Sequence, residues 1–267
     1  MTFREIGALV AATLSLLIAT APGAQALDRR SAESELKSNG FSVAVAECRD
    51  DQRVVSGGYS LDEGSSDTPI VSRAKGERAW TVTAQEDSFT AYALCSKNIG
   101  VKEVAKTVGF KNTDRGSGTA ASAKCPREKR VISGGFKFST LVSNSPVFRS
   151  RPTDKRSWSV LALSEESDSK LKVLAYCVPD RGGVSTRKDS TQVGPSEVGT
   201  VEPKCKSSET MLSGGWTVSP RPDWNNEDGP DTFFSSAYPA VHQSFVATAI
   251  NFSDVAGRIS GYAICAD

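Results

Sequence analysis

Cys48-Arg49-Asp50-Asp51-Gln52-Arg53-Val54-Val55-Ser56-Gly57-Gly58-Tyr59 decides the fold, because its frame returns twice. Cys125 leads at the same spacing to Ser133-Gly134-Gly135-Phe136, and Cys205 to Ser213-Gly214-Gly215-Trp216. Recurrence at a fixed period is the signature of copied supersecondary units. Further landmarks follow each Gly pair in one order. A proline stands in a polar loop (Pro69, Pro146, Pro230), then an aromatic-x-small-x-Ala stretch (Trp80 to Ala84, Trp158 to Ala162, Phe245 to Ala249), then a closing cysteine (Cys95, Cys177, Cys265). Length varies most between the Gly pair and the aromatic stretch, above all from Pro220 to Pro239. Surface loops absorb insertions because they leave no buried backbone unpaired.

Apolar residues alternate with polar ones in Trp80-x-Val82-x-Ala84 and Trp158-x-Val160-x-Ala162, the period of a strand. No long apolar pattern of helical period follows residue 26, so the chain reads as all-β. The first repeat is expected to hold strands near Ser42–Cys48, Arg53–Tyr59, Ile70–Arg73, Ala79–Ala84 and Thr90–Cys95. Glycine inside a strand marks a bulge or a close backbone approach. The repeated ring of each unit, Trp80, Trp158 or Phe245, is therefore expected to lie across its glycines, a known device for covering strand glycine. Tyr59, Phe136 and Trp216 read as core or interface rings rather than sugar platforms.

Three tandem disulfide-stapled antiparallel β repeats, spanning residues 42–100, 101–180 and 181–267, are thus expected. Packed with pseudo-threefold symmetry, three sheets of about four strands would form a β-prism-like body; three small β domains in a row is the alternative. Such a body is similar in architecture to prism-like secreted proteins of egg coats and some lectins, but no binding motif of theirs matches here. Residues 27–41 form a polar leader, read as a loose helical turn or two, and Lys111–Thr119 and Pro179–Ser196 read as Gly- and Ser-rich connectors.

Residues 1–26 have another character: one arginine, an apolar run from Ile6 to Thr20, and Ala24-Gln25-Ala26 as a small-x-small cleavage site. This is the pattern of a secretory signal peptide, and the run falls short of the roughly 20 apolar residues that span a bilayer. Export to the extracellular space or a bacterial cell envelope follows, with no stable membrane insertion after cleavage. All six cysteines, Cys48, Cys95, Cys125, Cys177, Cys205 and Cys265, lie beyond it, an even number that reads as three disulfides. Of the 15 ways to pair six cysteines, two treat the repeats alike: within each unit, or from each second cysteine to the next unit. Pairing within the unit is preferred, since a unit of about 80 residues must close its own core before duplication.

Little in the sequence points to chemistry. Thirty-two Lys plus Arg against thirty-one Asp plus Glu give a net charge of +1, which supplies no basic field for nucleic acid. His242 is the only histidine, and it stands where the other units have Glu77 and Lys155, so no serine or cysteine nucleophile has a repeated base. No cofactor motif appears, and the cysteine spacing is not that of a metal site. Glu165-Glu166-Ser167-Asp168 and Asp223 to Asp231 are acidic loop clusters, the second failing the calcium-loop spacing at Asp228. The basic clusters Arg127–Arg130 and Arg149–Arg156 read as solvated faces, and Asn251-Phe252-Ser253 as a glycosylation sequon in a glycosylating host. Trp224, Asn225, Asn226 and Tyr238 are the candidate binding residues: loop aromatics stack on a sugar face while amides bond its hydroxyls. The expected function is a non-catalytic binding module for a glycan or cell-envelope polymer. A secreted structural or protein-interaction protein is the alternative, and a glycoside hydrolase or enzyme inhibitor comes last.

Overall fold

The computed structural model describes residues 27–62, 69–85, 88–110, 118–140, 145–164, 168–219, 232–240, 243–252 and 254–267. They form strands and no helix, and every strand pair is antiparallel.

Three sheets result. Sheet I runs in the order β1 (Asp28–Glu33), β7 (Phe89–Ser96), β4 (Arg53–Leu61), β17 (Thr232–Pro239), β18 (Phe245–Asn251), β15 (Val198–Val201). Sheet II runs β2 (Glu35–Leu36), β3 (Phe41–Glu47), β6 (Ala79–Gln85), β5 (Val71–Lys75), β10 (Lys129–Phe138), β13 (Lys170–Pro179), β8 (Lys102–Gly109). Sheet III runs β14 (Val184–Val193), β19 (Gly257–Ala266), β16 (Thr210–Ser219), β11 (Val147–Pro152), β12 (Ser157–Ala162), β9 (Thr119–Lys124). The five strands expected in the first segment are present to within two residues at their ends.

The sheets hold six or seven strands, not about four, because each draws on two segments of the chain. Sheet I joins strands of the first and last thirds, sheet II the first and second, and sheet III the second and last. The leader is a strand and not a helical turn: β1 pairs with β7 from Asp28↔Cys95 to Glu33↔Thr90. Its sequence, DRRSAE, has no β-branched or aromatic residue, so the open edge of β7 sets its conformation. Likewise Pro179–Ser196 is no mere connector, since β14 pairs with β19 along ten residues.

The disulfides join Cys48–Cys95, Cys125–Cys177 and Cys205–Cys265, within the segments as expected. Because each segment feeds two sheets, each bond also ties two sheets. Cys48 follows β3 of sheet II and bonds Cys95 on β7 of sheet I; Cys125 follows β9 of sheet III and bonds Cys177 on β13 of sheet II; Cys205 follows β15 of sheet I and bonds Cys265 on β19 of sheet III.

The Ser-Gly-Gly strands β4, β10 and β16 touch one another at the centre. In each, one residue before the serine is bulged out of the ladder: Val55, Ile132 and Leu212. A bulge leaves backbone groups without ladder partners, and those groups must find others. Ser56 Oγ donates to Leu212 O at 2.7 Å, and Ser213 Oγ donates to Ile132 O, so hydroxyls of one strand satisfy bulged carbonyls of the next. The first glycine of each pair lies under its ring: a Cβ on Gly57, Gly134 or Gly214 would overlap Trp80, Trp158 or Phe245. Those rings come from a different sheet, so the contact is sheet on sheet. The second glycine lets two segments meet within one sheet, since a Cβ on Gly58, Gly135 or Gly215 would strike the carbonyl of Ala237, Ser72 or Ser150. Tyr59, Phe136 and Trp216 are buried core rings.

Candidate functional site

The repeated rings converge on the centre but make no ligand site. The space that Trp80, Trp158, Phe245 and the glycines enclose has a volume of about 20 Å³, enough for a single water.

A second space, of about 530 Å³, lies near the Cys48–Cys95 end between Asp50, Asp51, Arg53, Glu77, Arg78 and Lys97. Its charges pair with one another as Arg53–Glu77, Arg78–Asp50 and Lys97–Asp51. Lys97 holds the Asp51 carboxyl below its ordinary range. Such exposed pairs cancel locally and leave no charge to direct a ligand.

Among the described residues, one cluster brings three potential metal donors together: Cys205, Glu209 and Cys265. Both sulfurs are spent in a disulfide. Glu209 is engaged as well, accepting from Arg187 Nε at 3.0 Å, from Arg187 Nη2 at 2.6 Å and from the Lys206 amide at 2.8 Å. The bond from Arg187 is the main reason its carboxyl titrates below the usual range. A carboxylate so saturated is a structural clamp.

Trp224, Asn225, Asn226 and His242 lie outside the described residues, as do Glu165, Glu166 and Asp223 to Asp231. Tyr238 is described, and it stands on β17 rather than on a loop. Its ring stacks on Tyr92 of β7, centroids 4.9 Å apart and planes 24° apart. Between those strands runs β4, where Gly58 is the partner of Tyr92. With no side chain on that glycine, two rings from separate strands lean together over bare backbone. Arg29 of β1 adds a cation 5.0 Å from the Tyr92 centroid, steadied by its bond to Pro239 O at 3.2 Å. Both rings are half-buried on the outer face of sheet I. Burial, then the Tyr92 hydroxyl, pushes the Tyr238 phenol up. Tyr92 was not singled out from the sequence, although alternation with buried Ala91 and Ala93 puts it on the outer face.

Around the pair the outer face carries the Thr200 and Thr248 hydroxyls, 3.1 Å apart, while Glu33 also faces outward on β1 and Glu202 lies close enough to act on the Tyr238 phenol. Such an arrangement offers a ring shelf, one cation and hydroxyls that both donate and accept.

The sequon at Asn251 carries no glycan acceptor in the folded chain. Asn251 is fully buried and its Nδ2 donates to Val193 O and Gly194 O at 3.1 Å and Val255 O at 2.8 Å. Comparison with models of known families and with curated protein sequences finds no match to this chain. No helix among the described residues is long and apolar enough to cross a membrane.

Proposed function

We propose that this chain is a non-catalytic binding module that works outside the cell, exported by residues 1–26 and cleaved after Ala26, and that it recognises a glycan or cell-envelope polymer. The body reads as one β unit present three times and packed with pseudo-threefold symmetry like a β-prism. The recurrent bulge, serine, glycine pair and overlying ring support that reading. Three disulfides suit an oxidising compartment.

The observation that carries the binding role is the half-buried Tyr92–Tyr238 stack on sheet I. Two rings stacked on one another form a rigid apolar ridge among hydroxyls, against which a pyranose can pack. The test is the chain from Leu27 onward on a panel of neutral and charged polysaccharides, with Tyr92→Ala and Tyr238→Ala variants checked for folding by thermal melt. Binding that drops tenfold or more in both variants supports the proposal. Silence across the panel, or binding indifferent to both changes, overturns it.

One observation favours a structural or protein-interaction role as the second reading. Val198, Phe252 and Val255 are 64%, 52% and 49% exposed and sit together where β15 and β18 end, Val198 pairing with Ile250. Self-association in sedimentation that Val198→Asp abolishes would favour that role over polymer binding.

A further inference from the structure

The first strand of each segment closes against the last: β1 pairs with β7, β8 with β13 and β14 with β19. The three are not held alike. β8 and β14 run for eight and ten residues and are tied into the chain at both ends. β1 runs for six, and with residues 1–26 removed as proposed above it is tied at its C-terminal end alone. At that end only Ser34 stands between β1 on sheet I and β2 on sheet II.

What β1 buries also differs in kind. Val104 and Val108 are the half-buried positions of β8, packed against the core. On β1 those positions are Asp28, Arg30 and Ala32. Asp28 lies 3.1 Å from Arg30 and 3.6 Å from the exposed Arg49, so its nearer ion pair belongs to the strand and travels with it. Releasing an ionic strand returns its charges to water, whereas releasing valines exposes apolar surface. The edge beneath has the opposite character. Ala91, Ala93 and Cys95 of β7 are buried, and a bared edge there takes up another strand.

The fit of β1 to that edge is specific. Beyond the ladder, the Ser34 amide donates to Phe89 O at 2.9 Å, and the Ser34 hydroxyl accepts from the Phe89 amide at 3.1 Å. Arg29 lies against the Tyr92 ring and bonds Pro239 O. The link that follows can lengthen. β2 is held to β3 by two residue pairs, Glu35↔Val43 and Leu36↔Ser42, and both of its residues are exposed. Its release turns residues 34–40 into a tether that reaches about 23 Å when extended.

We infer that β1 is an exchangeable arm whose partner is a second copy of this chain: two chains trade β1, each laying it on β7 of the other. Closed and exchanged forms make the same contacts between β1 and β7, so concentration and the link decide between them. Exchange bears on the ring shelf proposed above. Arg29 of the partner subunit then completes Tyr92 and Tyr238 in each copy, and two shelves in one body hold a repeating polymer more tightly than one.

The test mixes two single-cysteine versions of the chain from Leu27 onward, Glu33→Cys and Thr90→Cys, and adds a short thiol-to-thiol crosslinker. These positions are opposite in the ladder, and neither chain can form the link by itself. The control mixes Thr107→Cys with Lys172→Cys, the matching places on β8 and β13, where the strand is held at both ends. Thermal melts check that each variant folds. After incubation at about 500 µM, the first mixture should give a two-chain product joining residue 33 to residue 90 in peptide maps. Its yield should be at least tenfold above the control, and at least tenfold above the same mixture held at about 1 µM. Absence of that product at the higher concentration, or an equal yield from the control, overturns the inference. No glycan enters the measurement, so silence on the polysaccharide panel leaves the exchange standing, and a missing crosslink leaves the shelf to be judged by its own variants.

Discussion

At the scale of single residues, the recurring landmarks differ where chemistry requires them to differ together. Trp80 Nε1 donates to Ser72 Oγ at 3.1 Å, and Trp158 Nε1 to Ser150 Oγ at 3.0 Å. In the last segment the ring is Phe245, which has no N–H, and the residue at the matching place in the ladder is Ala237, which has no hydroxyl. A buried donor must be satisfied, so indole and serine come and go as a pair. Ser72→Ala should therefore cost about 1–3 kcal/mol in urea unfolding by stranding the Trp80 N–H. Phe245→Trp should cost a similar amount through overpacking and an orphan donor. Adding Ala237→Ser should recover part of that loss, a coupling that a double-mutant cycle reads directly. Strict additivity in that cycle would show that the bond contributes nothing. The ring over glycine was legible in the sequence because both halves recur together. Asn251 was not legible, because a sequon says nothing of burial and only the fold brings Val193 and Gly194 to its amide.

At the scale of strands, alternation carried Trp80–Ala84 and Trp158–Ala162, whose inward sides are apolar. It could not carry β1, in which Asp28, Arg30 and Ala32 are the half-buried positions and no apolar side exists to read. Pairing with the free edge of β7 decides its conformation, so β1 also guards that edge. Deleting residues 27–33 should lower Tm and produce concentration-dependent association by light scattering; an unchanged melt and a monodisperse species would refute an edge-covering role. The stack of Tyr92 on Tyr238 was half legible for the same reason. Tyr238 belongs to the last segment and Tyr92 to the first, and they meet only because β17 pairs with β4 through Ser236↔Ser60 and Ala237↔Tyr59. Nothing local in either stretch announces a junction between segments. The turn before β16 offers a pH test. Arg187 depresses the Glu209 pKa in the folded chain, so the carboxylate's contribution is fully present above the unfolded value of about 4.3 and fades as pH falls below it. Glu209→Gln should lower Tm at pH 7, and the gap from the parent chain should close between about pH 5 and pH 3. A gap that persists at pH 2.5 would mean that packing, not charge, is lost.

At the scale of the whole molecule, the three disulfides act on a body whose sheets are shared between segments. The sequence preference for pairing within a unit was met, but its reason was incomplete: no segment closes a sheet alone, and each bond instead ties one sheet to the next. In the unfolded chain the bonds close loops with sequence separations of 47, 52 and 60, which neither nest nor overlap. Loops of that length each remove chain entropy equivalent to about 4 kcal/mol in the simple closure picture. Because the loops are separate in the unfolded state, the costs of opening them should add even though the bonds meet around one core in the folded state. Replacing Cys125 and Cys177 by Ala should therefore lower unfolding free energy by about 4 kcal/mol, and replacing Cys48 with Cys95 as well should double the loss. Opening all three would remove about 12 kcal/mol, as much as the whole stability of a typical domain, so the fully reduced chain should be unfolded at 25 °C. Guanidinium titrations of the single-pair, double-pair and reduced forms test this. A reduced chain that still unfolds cooperatively at the parent midpoint would show that the shared sheets hold without their ties. A double loss well above the sum would place the coupling in the folded sheets rather than in the unfolded loops.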